Sequence, residues 1–287
     1  MGKLVGRSMG MDQALALEIL LSGECALLTG PAGSGKTYVL NQFIRHAKAD
    51  GKKIAITATT GLAATHLNGT TIYAWSGIGV HDELPKTFFK NLTKGRREAI
   101  QKADVLIIDE ISMLHDYRLD MIDEITRRVR ESEAPFGGLQ VILCGDFFQL
   151  PPVTRGQQAS GAFVVHAGVW EQLDPVICYL DEQHRQDDDM YLEILNAMRA
   201  NDLRRRHAEA LLGRRQADDP FVQQTELHTT NIDVDAINAQ RLAALEGDEY
   251  RYEMTTSGGS RYVESLKKSC LAQETLILKK GALVMCI

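Results

Sequence analysis

The run Gly30-Pro31-Ala32-Gly33-Ser34-Gly35-Lys36-Thr37 has the residue types and the G-x-x-x-x-G-K-[ST] spacing of a phosphate-binding loop. Gly30, Gly33 and Gly35 let the backbone wrap closely, so that amide N–H groups face phosphate oxygens. Lys36 supplies a cation for the terminal phosphates, and Thr37 a hydroxyl for Mg²⁺. The apolar run ending in Asp109-Glu110 is the second chemical element. With a phosphate loop upstream, Asp109 is placed to hold Mg²⁺ together with Thr37, and Glu110 to orient and deprotonate an attacking water. Gln149 follows Asp146-Phe-Phe at a further strand end and is a polar group placed to sense a γ-phosphate. Arg185, beyond one more apolar run, reads either as an arginine finger or as an ordinary loop arginine.

These groups need a sheet to bring them together. Cys25 to Thr29 reads as a buried strand and Tyr38 to Ala49 as a helix, so the glycine loop sits between strand and helix, where a helix N-terminus adds partial positive charge. Lys53 to Ala58, Ala103 to Asp109, Leu139 to Gly145 and Val176 to Leu180 are further apolar strands. Arg118 to Arg130 is an amphipathic helix with Met121, Ile122, Ile125 and Val129 on one face. Asp12 caps a short helix that Gln13 starts. Gln13 either pairs with both donor and acceptor of an adenine edge or is a solvated helix glutamine.

Thr59-Thr60-Gly61 opens a helix after the second strand. It is either a second phosphate-holding turn, suited to a nucleic-acid backbone, or a plain helix cap. Gly69 to Gly79 reads as a Gly/Thr-rich loop around Thr71, Tyr73 and Trp75, whose rings either stack on bases or pack into the core. His81 to Arg97, with Lys86, Lys90, Lys94, Arg96 and Arg97, reads as a small insert. Its basic run is a solvated face or lies along a backbone. After Arg185 the pattern predicts helices over 190–200, 206–212 and 231–245, short strands at 226–230, 276–278 and 283–287, and a polar loop at 253–260.

With 287 residues, two domains are expected. The net charge of -6 excludes a globally basic nucleic-acid protein and leaves only a local site. Cys25, Cys144, Cys178, Cys270 and Cys286 are scattered without a C-x-x-C pair, which argues for a reducing, intracellular compartment and against a zinc site. No apolar run reaches membrane-spanning length, so no membrane partner is expected. Met1 to Gly10 reads as a flexible lead, and the chain stops inside an apolar run at Ile287.

Several stretches together carry a family resemblance. Glu110-Ile-Ser-Met-Leu through Arg127-Arg-Val-Arg130, Cys144-Gly-Asp-Phe-Phe-Gln-Leu-Pro-Pro-Val153, Gly69-Thr-Thr-Ile, His184-Arg185-Gln186, Asn196-Ala-Met-Arg199, Leu227 to Asn238 and Lys280 to Met285 resemble the motifs of the petite-integration-frequency (Pif) family of superfamily 1 DNA helicases, related to RecD-like enzymes. The resemblance covers about residues 11–287. It implies an α/β fold: a RecA-like P-loop parallel sheet with helices on both faces (1–182, insert near 80–100), followed by a partial second RecA-like domain (183–287).

It also implies ATP with Mg²⁺ in the cleft between the domains, single-stranded DNA across their tops, and 5′→3′ translocation. Gln13 would meet adenine, Lys36 and Thr37 phosphate and Mg²⁺, Asp109 and Glu110 the Walker B chemistry, and Gln149 and Arg185 the γ-phosphate. DNA would meet Thr60, Gly61, Thr71 and Trp75. Forked or quadruplex DNA, roles in DNA repair, recombination and telomere maintenance, and a cytoplasmic, nuclear or mitochondrial address follow from the same resemblance. Tyr73-Ala-Trp75 departs from the family's His-Ser-Phe-like run, and the second domain ends before the family's later motifs, so a DNA-binding ATPase without unwinding is an alternative. A P-loop phosphotransferase and a nucleotide-switched interaction protein compete from other classes. The chain lacks the Asn-Lys-x-Asp run of a guanine-specific switch.

Overall fold

Strands whose side chains are apolar at nearly every position must be covered on both faces, and here that requirement is met by a six-stranded, all-parallel sheet. In the computed structural model the described residues are 11–79, 81–153, 161–182, 188–214, 225–228, 231–259, 263, 264, 267, 270 and 272–284. The strands are β1 (Ala26–Thr29), β2 (Ile54–Ala58), β3 (Thr70–Thr71), β4 (Val105–Asp109), β5 (Gln140–Gly145) and β6 (Val176–Tyr179), in the order β3-β2-β4-β5-β1-β6. The helices of the first part are α1 (Gln13–Leu21), α2 (Lys36–Ala49), α3 (Gly61–His66), α4 (Ile72–Ser76), α5 (Phe88–Asn91), α6 (Lys94–Lys102), α7 (Asp116–Arg130), α8 (Trp170–Leu173) and α9 (Asp189–Arg199).

The period-2 alternation of a strand splits β4 between two cores. Val105 and Ile107 join Ala26, Leu28, Leu40, Phe43, Ile142 and Cys144 beneath α1 and α2. Leu106 and Ile108 join Ile122, Ile125, Val129, Val141 and Leu143 beneath α7. Helix α7 buries Met121, Ile122, Ile125 and Val129 as its pattern predicts. Arg130 at its end donates to the Ile100, Gln101 and Ala103 carbonyls, satisfying the acceptors that α6 leaves open at its C-terminus.

One expectation is corrected here. Gly69 to Gly79 is not a loop: Thr70–Thr71 adds β3 to the edge of the sheet, and Ile72–Ser76 forms α4. The Thr71 hydroxyl caps α4 by accepting from the Ala74 N–H at 3.2 Å, and fully buried Ile72 and Ile78 anchor its two ends. Gly69 is needed because a Cβ there would lie 2.4 Å from the Ile56 carbonyl oxygen. The Gly/Thr composition therefore reflects close strand approach and capping.

Contacts group residues 1–207 into one unit and 208–287 into another. The later elements are α10 (Arg205–Gly213), α11 (Asn231–Ala244) and an antiparallel pair, β7 (Glu249–Glu253) and β8 (Thr275–Lys279), with Tyr250 opposite Leu278. Strand β7 was not legible as a strand, because its polar Glu-Tyr-Arg-Tyr-Glu run is exposed throughout. Residues 225–228 and 282–284 are not strands, and 229–230 and 285–287 lie outside the described residues. Among the described residues, no helix is long and apolar enough to cross a membrane.

Ile107 lies fully buried in the strand shared by both cores. Ile107→Ala should lower unfolding stability by about 2–5 kcal/mol, read as a fall in denaturant midpoint at unchanged slope.

Candidate nucleotide site

All six strands run the same way, so every loop that follows one emerges at the same edge of the sheet, where ligands of open α/β sheets bind. The phosphate loop follows β1. Gly35 has φ 87° and Gly33 φ 89°, left-handed values that favour glycine. A Cβ on Gly30 would lie 2.2 Å from the Leu180 carbonyl oxygen, so the end of β6 closes against the start of the loop. The Lys36 ammonium donates to the Gly30 and Pro31 carbonyls at 2.8 and 2.9 Å, folding back over its own loop. Helix α2 begins at Lys36, two residues ahead of its expected start, with Thr37 exposed in its first turn.

Gln13 is brought to this loop from α1. Its Nε2 donates to the Ser34 carbonyl at 3.3 Å and would lie 2.2 Å from a Cβ on Gly35. The Asp12 cap fixes that helix start by accepting from the Leu15 N–H at 2.7 Å. This contact places the Gln13 amide beside the phosphate loop.

Beside β1, across β5, stands β4 with Asp109 at its end. Glu110 turns the chain out of the strand at φ 54° and ψ 43°, an uncommon conformation for a residue with a Cβ. It is held there from both sides. The Glu110 N–H donates to Asp109 Oδ1 at 2.9 Å, and the Thr59 hydroxyl donates to the Glu110 carbonyl at 2.9 Å. Burial, then the Asp109 charge, with a smaller push from Asp146, hold the Glu110 carboxyl above its ordinary range, while Lys36 pulls it down. Burial likewise pushes the Cys144 thiol well up, and Asp109, which it bonds, adds to that.

After β5 comes Asp146, only 2% exposed. Both Arg199 Nη atoms reach its two oxygens, at 2.9 and 2.7 Å. Burial by itself would raise the Asp146 carboxyl, but the Arg199 bonds, with Phe148 and Gln149, outweigh it and hold it below the ordinary range. Gln149 sits in the turn, its N–H donating to the Asp146 carbonyl at 2.9 Å and its Nε2 to Asp146 Oδ2 at 3.3 Å. Arg199 and Asp146 are functional candidates the motif reading did not assign. Their pairing spans 53 residues, and no local pattern signals it.

Thr60, Gly61, Thr71 and Trp75 lie at the same edge but on the far side of β4, beside β2 and β3. Three strand spacings separate β2 from β1, roughly 14 Å. The Thr60 and Thr71 hydroxyls both cap their helices, accepting from Ala63 N and Ala74 N at 3.2 Å each. Tyr73 and Trp75 are part-buried and pack against the core, with the Arg118 guanidinium 5.1 Å above the Tyr73 ring. Arg185 lies outside the described residues. A hollow of about 420 Å³ bordered by Asp123, Arg127, Arg128 and Glu131 is lined by none of these residues, and its two arginines pair with Asp123 and Glu124 of α7.

The parallel sheet with a phosphate loop after β1, paired carboxylates after β4 and a polar turn after β5 defines a RecA-like nucleotide-hydrolase core. Residues 11–201 match the PIF1-like helicase family, and the chain belongs to it. The chain is similar to the ATP-dependent DNA helicase Pif1 of Psychrobacter sp. (strain PRwf-1), at 44% identity across 96% of this chain and 44% of that protein. Among solved structures it is similar to Bacteroides sp Pif1 in complex with ADP-AlF4, at 28% identity and TM-score 0.79 over 96% of this chain and 65% of that one. It is also similar to Pif1 helicase from Bacteroides in complex with ADP-AlF3 and ssDNA, at 29% identity and TM-score 0.71 over the same shares. The chain thus spans about half the length of that curated relative.

A carboxyl held above its ordinary value favours the folded protein when protonated, so ionised Glu110 opposes folding. Glu110→Gln should therefore melt at a higher temperature than the parent at pH 8. The gain should shrink to nothing as the pH falls through the ordinary carboxylate range, as followed by thermal melts across pH.

Proposed function

We propose that this chain is the ATP-hydrolysing motor segment of a 5′→3′ DNA helicase that moves along single-stranded DNA. One observation carries the reading: the phosphate loop, Asp109-Glu110 and Asp146 to Gln149 converge on one edge of one sheet. Relatives named as ATP-dependent DNA helicases, and a related structure holding ADP-AlF3 and ssDNA, support the choice of ATP and DNA.

The residues fit a Mg²⁺–nucleotide. The glycine conformations at 33 and 35 leave the loop amides free to converge, and Gln13 lies beside the loop, placed for a base. Thr37 in the first turn of α2 and Asp109 at the end of β4 offer oxygen donors of the kind Mg²⁺ takes together with substrate phosphates. Bound there, Mg²⁺ neutralises charge developing on the phosphate oxygens.

Lys36 exchanges the Gly30 and Pro31 carbonyls for phosphate oxygens. Glu110, with proton affinity raised by burial, takes the proton of the attacking water. Gln149 and Arg185 meet the γ-phosphate. Residues 183–287 are a second, partial RecA-like domain. Thr60, Gly61, Thr71 and the exposed part of Trp75 line the DNA path, a segment of it held by the Tyr73–Arg118 contact.

ATPase measured with and without oligo-dT tests this. Turnover should rise with DNA and vanish in Glu110→Gln, which still binds ATP. Lys36→Ala should lose nucleotide binding, and Arg185→Ala should lower kcat by about 10³–10⁵. DNA affinity should fall steeply with salt as phosphate contacts release counterions. Tight ATP binding by Lys36→Ala would remove the phosphate-loop assignment, and a chain that neither binds DNA nor responds to it would move the phosphotransferase reading ahead.

A further inference from the structure

The turn carrying Gln149 is anchored near its start by part-buried Phe147, which packs on the core and edge-on against Phe163, but not beyond it. Phe148, Gln149 and Leu150 are all exposed, Phe148 at 69% and Leu150 at 68%, so apolar burial does not fix them. What orders the rest of the turn is one buried carboxylate. Asp146 accepts from the Phe148 N–H at 3.2 Å and from Gln149 Nε2 at 3.3 Å, and its carbonyl accepts from the Gln149 N–H. That carboxylate is in turn gripped by Arg199 through both of its oxygens. The Arg199 guanidinium also lies 4.2 Å from the Phe148 ring centroid and bonds Tyr179 on β6. A single side chain at the end of α9 thus ties together a helix, a strand and the turn.

Gln149 and Arg199 share one acceptor, Asp146 Oδ2. A buried carboxylate stripped of its partners is costly, so its partners are not given up freely. With Arg199 in place, Gln149 can leave Oδ2 and the carboxylate stays paired. Without Arg199, the Gln149 amide is the chief side-chain donor left to Asp146 and is retained there.

Resting on the reading above that Gln149 meets the γ-phosphate, we propose that Arg199 is a positioning residue for γ-phosphate recognition. It touches no nucleotide. It holds the Asp146 turn in shape and frees Gln149 to turn from Asp146 to phosphate. Lysine cannot replace it, because a single ammonium cannot span both carboxylate oxygens and stack on Phe148 at once.

The test is the preference of the 287-residue chain for ATPγS over ADP in Mg²⁺, taken as the ratio of the two dissociation constants, with thermal melts alongside. Gln149→Ala should lower the preference by about tenfold, the worth of one hydrogen bond to a charged group. Arg199→Ala and Arg199→Lys should lower it to the same degree while ADP affinity stays within about twofold. Arg199→Ala combined with Gln149→Ala should be no worse than Gln149→Ala alone. A loss of ADP affinity equal to the loss of ATPγS affinity would mark a merely structural role and overturn the proposal.

Wild-type preference in Arg199→Ala beside a defective Gln149→Ala would overturn this inference alone. Wild-type preference in Gln149→Ala would remove the γ-phosphate reading, and this inference with it. Should Arg199→Ala not fold, Arg199→Lys carries the same test: it keeps a cation beside Asp146 but cannot span both of its oxygens, and an unchanged preference there overturns the proposal.

Discussion

Burial of β4 on both faces is the constraint from which the site follows. Val105 to Ile108 are at most 1% exposed and feed alternately into two cores, so this strand cannot slip by one residue without moving both sets to the wrong face. Its register against β2 and β5 then fixes where Asp109 emerges, opposite Ala58 on one side and beyond Leu143 on the other. The parallel ladder continues through β5 to β1 and its phosphate loop. A carboxylate pair and a glycine loop more than seventy residues apart in sequence are thereby placed on the same edge by packing alone.

The polar groups on that edge are arranged by reciprocal holding rather than by free projection. Lys36 leans on the carbonyls of its own loop, Glu110 is pinned at both its N–H and its carbonyl, and Asp146 is clasped by Arg199. Each of these contacts satisfies a group that desolvation would otherwise penalise. The carboxyls respond in opposite directions. Glu110, buried and facing other acids, is raised, and Asp146, gripped by a guanidinium, is lowered. Divergent environments at the ends of adjoining strands thus push these two carboxyls in opposite directions.

The outer part of the sheet uses small polar residues differently. Thr57 bonds the Ile107 carbonyl, Thr59 the Glu110 carbonyl, and Thr60 and Thr71 cap the helices that follow β2 and β3. The hydroxyl of Thr59 thus links the end of β2, one residue before the Thr60 cap, to the peptide of Glu110. The Thr60 cap and Glu110 are thereby mechanically adjacent, although roughly 14 Å of sheet lies between β2 and the phosphate loop.

The amino-acid sequence by itself determined the phosphate loop, the Asp109-Glu110 strand end, the Asp12 cap and the buried face of α7, because each is written in local spacing: glycines at fixed offsets, a period of 3.6, an unbroken apolar run. It identified Gln13 and Gln149 without deciding what either touches. Only the tertiary structure turned Gln13 onto Ser34, converted Gly69 to Gly79 from an expected loop into β3 and α4, and set Tyr73 and Trp75 against the core. It alone paired Arg199 with Asp146. The physical reason is common to all four. Where a side chain finds its partner depends on strand order, and strand order is settled by which faces can be buried together, a property of the whole sheet that no short stretch of residues contains.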